Sequence, residues 1–163
     1  MTRLLASALF LTTLFIGCSK SEDDIQHINC DGLITDTLGT NDNARIYMPN
    51  AFTPNNDGLN DISRPIAANV ASIDFKIYDD DNNIVFSSNV LGQGWSTTVA
   101  SNSSTKYYYR IQTVTTANHK IGVCGDLYKL SCKPANAPTL YYEDQLTVFG
   151  FTGPTLETLP TCP

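Results

Sequence analysis

Three side chains with the right chemistry for a divalent cation fall close together at Asn55, Asp57 and Asp61, around Gly58, inside the stretch PNAFTPNNDGLND at 49–61. Oxygen donors at alternating positions about a glycine are what a calcium loop of the EF-hand type uses, closed by a bidentate Glu at position 12. With Asp57 and Gly58 set at positions 5 and 6 of such a loop, Asn55 takes position 3 and Asp61 position 9. Position 1 is then Thr53 and position 12 is Arg64, so two of the strongest anionic ligands are missing. That excludes a complete EF-hand and leaves a looser calcium site of Asn55, Asp57 and Asp61, with Asp79, Asp80 and Asp81 as further carboxylates. The same residues also make turns: Asn and Asp side chains cap nearby backbone amides and Gly supplies a positive φ. The sequence requires no cofactor.

Catalytic chemistry finds less to work with. There are two histidines; His27 sits in a polar leader and His119 at an expected turn between strands, where it reads as exposed and non-functional. No GxSxG elbow, HExxH helix or phosphate-cradling Gly loop occurs. The carboxylates at 79–81 imitate a glycosidase pair but read as a solvated hairpin tip. The expectation is a protein that is not an enzyme. The formal charge of −6 and the lack of a basic cluster argue against tracking a phosphate backbone, so no nucleic-acid partner is expected. Trp95 and the tyrosines offer faces that could stack on sugars, although core packing explains their alternation equally well.

Five cysteines complete the reactive groups. Cys30, Cys124, Cys132 and Cys162 make an even set, which in an exported chain implies two disulfides with three pairings open. Either the ends are stapled to the body, with Cys30 and Cys162 each joined to Cys124 or Cys132, or a local Cys124–Cys132 bridge forms. The absence of any CxxC pair argues against zinc.

Cys18 belongs to a different device. After Arg3 comes an apolar run over 4–16, too short to span a bilayer comfortably and shaped like a signal peptide. It ends in FIGC, which resembles a bacterial lipobox, with Gly17 before the cut and Cys18 to carry the lipid; Phe15 stands where Leu is usual. The acidic run SKSEDD that follows resembles the export signal of surface lipoproteins of Bacteroidota, and it also serves as a flexible tether. Two or three acyl chains, at about 0.8 kcal/mol per buried methylene, suffice for stable anchoring. Removal of residues 1–17 takes away one positive charge, that of Arg3, and leaves a chain suited to one domain.

Strand signals dominate the rest. Ile73, Phe75 and Ile77 alternate on one face, Ile84 and Phe86 repeat the pattern, and the Asp/Asn-rich stretch near 80–83 makes them a hairpin. Trp95 starts another short strand. Tyr107, Tyr109, Ile111 and Thr113 share a face of KYYYRIQTVTT, and HKIGVCGDLYKLSC supplies one or two more strands. About seven short strands without helical periodicity predict an all-β, immunoglobulin-like β-sandwich. Beyond the proline-bearing KPANAP lies a strand-like, apolar tail that either adds an edge strand or docks on another protein, self-packing being favoured. The divisions are 1–17 signal peptide, 18–44 lipidated tether and leader, 45–132 sandwich, and 133–163 C-terminal extension.

The stretch MPNAFTPNNDGLND closely resembles the opening of the gliding motility-associated C-terminal domain, PNAFTPNGDGxND, and the resemblance extends over about residues 46 to 131. Downstream, Asp79, Asp80, Asp81, Asn82 and Asn83 stand where the family carries an Asn-Arg-Trp-Gly-like turn, and Trp95, Ser96 and Thr97 replace its Trp-Asp-Gly. Tyr107, Tyr108 and Tyr109 partly match its Gly-x-Tyr-x-Tyr strand, and the stretch from Gly125 to Leu130 its late strand. The resemblance implies a β-sandwich of secreted and surface proteins of Bacteroidota, often the type B sorting domain of the type 9 secretion system. Such a domain usually ends its chain, whereas some thirty residues follow here, so the expectation is a reused body module. The short DTL at 36–38 resembles the O-glycosylation motif of Bacteroidota. Together these features predict an outer-membrane lipoprotein facing the outside, a non-enzymatic accessory subunit of a larger assembly: a type 9 translocon, a barrel-assembly machine or a nutrient-uptake porin complex. A free adhesin or glycan-binding module is the alternative.

Overall fold

The computed structural model describes residues 30–163; Cys18 with its lipobox-like stretch, and His27, lie outside them. In chain order the strands are β1 (Arg45–Tyr47), β2 (Ala51–Phe52), β3 (Ile62–Ser63), β4 (Ile66–Ala68), β5 (Val70–Tyr78), β6 (Ile84–Ser88), β7 (Trp95–Ser96), β8 (Ser104–Thr115), β9 (Lys120–Leu130), β10 (Leu146–Thr147) and β11 (Gly150–Phe151), with a single 3₁₀ turn at Glu143–Gln145. The fold is all-β, as the alternation predicted.

Five strands form one sheet in the order β2-β9-β8-β5-β6. Its frame is two antiparallel hairpins, β5–β6 and β8–β9, joined by antiparallel pairing of β5 with β8. β2, the start of the 49–61 stretch, pairs parallel to β9 at the edge. The period of two puts Ile73, Phe75, Ile77, Tyr109, Ile111, Leu127 and Phe52 on one face, where they make the core. Trp95 of β7 closes over that face, its ring 5.4 Å from Phe52 and 4.9 Å from Tyr107. The Lys129 ammonium lies over the Trp95 and Tyr107 rings at 5.8 and 5.4 Å, a cation held against aromatic faces.

The layer facing the sheet is slight. In place of a second sheet of comparable size there are two-stranded ribbons, β3–β7 and β1–β4, because residues 48–69 and 90–98 are cut by Asn, Gly and Pro at intervals too short for longer strands. About seven strands were expected and eleven are present among the described residues; the additional ones are two or three residues long and leave no periodic trace in so short a run. The sandwich is therefore open and uneven.

The opposite face of the sheet is covered by the chain's two ends. The leader crosses it beside β8 and β9: Ile34 exchanges its amide and carbonyl with the Gln112 side chain, and the Asp36 amide donates to the Lys120 carbonyl. Gly122 makes the crossing fit, since a Cβ there would stand 2.7 Å from Leu33 Cβ. Further along, Ala51, Leu130 and Tyr142 form a second buried cluster with Tyr128, Leu140 and Leu159 against it. The tail thus packs on its own domain. It adds no strand to the five-stranded sheet, since β10 and β11 pair with each other; its backbone meets the edge at Asn50 and Ala51, whose amides donate to the Tyr141 carbonyl, and at the Asn50 side chain.

Candidate functional site at the 49–61 loop and the tail across it

The cysteines pair as Cys30–Cys124 and Cys132–Cys162, with Cα separations of 5.6 and 4.9 Å. Each end is stapled separately, and the local Cys124–Cys132 alternative is not formed. Cys124 lies in β9 and takes the leader; Cys132 follows β9 and takes the end of the tail, where Lys133 and Thr161 run parallel as an isolated bridge.

Asn55, Asp57 and Asp61 are brought together in the exposed loop, but their oxygens turn inward on it. Asn55 Oδ1 accepts the Asp57 amide, and the two Asp57 oxygens accept the Leu59 amide and the Asn55 side-chain N–H. Asp61 clamps the turn by accepting the Asn56 and Gly58 amides, one on each carboxylate oxygen, at 2.6 and 2.8 Å. Asn56, Gly58 and Asn60 all have positive φ, a left-handed backbone that Asn and Gly adopt most readily. At Asn55 and Asp57 the spacing that resembled ligand spacing also makes Asx turns, each oxygen accepting the amide two residues on. Asp79 is used in the same way on the β5–β6 turn: the Asn83 amide, then its side chain and the Asp81 amide, hold its carboxyl below the ordinary range against the opposing effect of desolvation. No group of three or more His, Cys, Asp or Glu is placed to hold a metal ion among the described residues. Addition of calcium or a chelator is expected to leave the thermal unfolding midpoint in place; a rise that grows with calcium concentration would show a binding site instead.

Two parts of this loop had no sequence signal. Thr53 and Asn60 are buried side chains at its base, and both donate to one carboxylate of the tail: Thr53 Oγ1 and Asn60 Nδ2 reach Glu157 Oε2 at 2.5 and 3.3 Å. Asn60 Oδ1 in turn accepts the Asp144 amide. Just beyond the loop, Arg64 holds Glu143 through Nε and Nη2. The Asp144 carboxylate accepts from Thr155 and the Leu156 amide, which bends the tail so that Glu157 points at the loop. Nearby, burial first, then Glu157 and Asp144, push the Tyr142 phenol up to about 12. The loop base therefore receives the Glu157 carboxylate and the Asp144 amide of the 3₁₀ turn.

The second missed feature is at the leader. His119, expected to be exposed and idle, places Nδ1 2.7 Å from Oδ2 of Asp42, whose side chain is 2 % exposed. The same oxygen accepts from Thr115. The hydrogen bond with His119, then those from the Ala44 amide and Thr115, lower the Asp42 carboxyl from its usual value, overcoming desolvation. A depressed folded-state pKa gives stability that is whole above the unfolded value near 3.8 and is lost as pH falls through the lower folded one. Wild-type protein is expected to lose more stability between about pH 4 and pH 2 than Asp42→Asn, as read by denaturant titration across that range.

No curated protein and no solved structure matches this chain. The family match found is to the CHU_C type IX secretion signal domain, over residues 46–124. It begins in β1, takes in the whole 49–61 loop and ends within β9 at the cysteine that binds the leader. The family is a sorting signal and not a catalytic domain. Residues 46–124 thus match the CHU_C type IX secretion signal domain, of the gliding-motility C-terminal domain family.

Proposed function

We propose that this protein is a non-enzymatic accessory subunit of an outer-membrane assembly, anchored through a lipid on Cys18 and facing outward. A type IX secretion signal domain marks a cargo or an accessory protein of that system. The observation that favours the accessory role is the way the domain is built into a larger body. The leader and the tail are stapled to it, and the loop that opens the family motif is engaged by Glu157. That loop, like the two ends, is thus used to hold the protein together, as suits a body module. The partner would be a type 9 translocon, a barrel-assembly machine or a nutrient-uptake porin complex.

Affinity purification of the tagged protein in mild detergent tests this. A stoichiometric outer-membrane barrel protein is expected to co-purify, and Cys18→Ala is expected to move the protein from the membrane fraction to the soluble one. Recovery of a lone monomer, or membrane attachment that survives Cys18→Ala, would sink the reading.

A glycan-binding module is the second reading, favoured by one observation. Tyr47, Met48, Tyr141, Leu146 and Phe151 line a cleft of about 450 Å³, and Phe149, in the turn from β10 to β11, is 85 % exposed. Aromatic faces of this kind suit stacking on sugar rings. Retention on a glycan array that disappears in Tyr141→Ala would support it, and no retention would remove it.

A further inference from the structure

The contacts across the loop describe a receptor with its ligand in place. Every acidic side chain of residues 133–163 takes part: Glu143 on Arg64, Glu157 on Thr53 and Asn60, and Asp144 bending the strand between them. The backbone takes part as well, since Asn50 Nδ2 donates to the Thr139 carbonyl, Asn50 Oδ1 accepts the Tyr141 amide, and the Asn50 amide donates to the Tyr141 carbonyl. Backbone contacts at a sheet edge, with side chains read in pockets, are a general mode of peptide recognition; here they gather at Asn50 and add no strand to the sheet. A charge-assisted hydrogen bond from Thr53, fully buried, is the kind of interaction that selects a carboxylate over a neutral side chain.

We propose that the surface formed by Asn50, Thr53, Asn60 and Arg64 is a binding site for an acidic peptide segment folded as a 3₁₀ turn and a short β-ribbon, occupied in cis by residues 139–157. The Cys132–Cys162 bridge is the clasp that keeps this ligand at high effective concentration, because it returns the far end of the tail to the end of β9. A segment of similar chemistry from a partner binds only where it displaces the tail. The inference holds whether or not Cys18 is lipidated and whichever assembly the protein joins.

The test is a nicked full chain. Cys132→Ser with Cys162→Ser removes the clasp, and a protease site between the exposed Ala135 and Asn136 lets the tail be cut free after folding. The body is expected to stay folded and to rebind a labelled 136–163 peptide saturably. Glu157→Gln in the peptide, or Arg64→Ala in the body, is expected to weaken rebinding by roughly tenfold or more, as for loss of a hydrogen bond to a charged group. Unfolding of the nicked body, absence of rebinding, or rebinding indifferent to both substitutions would each overturn the proposal. Should the unclasped variant not fold, amide exchange on uncut Glu157→Gln decides: faster exchange at Thr53 and across 139–158, with β8 and β9 unchanged, is the expected result. An unchanged pattern there would overturn the proposal.

Discussion

Replacing both Cys30 and Cys124 by serine is expected to lower the free energy of unfolding by about 4–5 kcal/mol on the chain-entropy account of cross-links. The bridge joins residues 94 apart in sequence, so its loss frees a long stretch of the unfolded chain. Loss of Cys132–Cys162, at a separation of 30, is expected to cost less, about 3–4 kcal/mol, because the loop entropy grows only with the logarithm of length. A domain of this size typically has about 5–15 kcal/mol in all, so the first change removes a large part of it. Urea titrations of the two double variants beside wild type measure both, and the order of the midpoints is the decisive reading. Equal midpoints, or the shorter loop mattering more, would show that the native contacts of the ends outweigh chain entropy.

Phe52→Ala carries the second large effect, a destabilisation of about 3–5 kcal/mol as expected for a fully buried aromatic. Phe52 belongs to the family motif, yet it is 1 % exposed and sits between the edge pairing with β9 and the Trp95 ring. Its truncation leaves a hole that Trp95, tied by its strand to Ser63, cannot collapse into fully. Thermal or chemical denaturation reads the loss directly. A cost below about 1 kcal/mol would mean that the aromatic cluster repacks, contrary to the constraint on Trp95.

The frame of this fold was legible because its signals are local. Ile73, Phe75 and Ile77 alternate within five residues and land on one buried face, as do Tyr109, Ile111 and Thr113. Ile84 was read on the same rule and is 54 % exposed: the pairing of β5 and β6 shifts register between Ile77 and Tyr78, and a one-residue slip turns a side chain outward. Phe86, past the shift, does reach the core, 5.5 Å from Phe75. The loop at 49–61 could be recognised as a family signature but not understood as a site. What meets it, Glu143 and Glu157, is some eighty to one hundred residues away in sequence. His119 and Asp42 likewise lie 77 residues apart, and neither neighbourhood carries a trace of the other. The pairing of the cysteines needed the same long-range information.

The place of the Cys30–Cys124 bridge has a mechanical consequence. Any pull arriving from the N-terminal side passes at Cys30 through the sulfur atoms into β9, and residues 31–44 and β1 are left slack. β9 meets β2 only at Tyr128 and Lys129, but β8 is paired to it from Ser104↔Leu130 to Val114↔Lys120. A body tethered by its first residues would thus be held through one of its longest strands, and tension would have to disrupt the β8–β9 ladder before residues 31–44 felt any load.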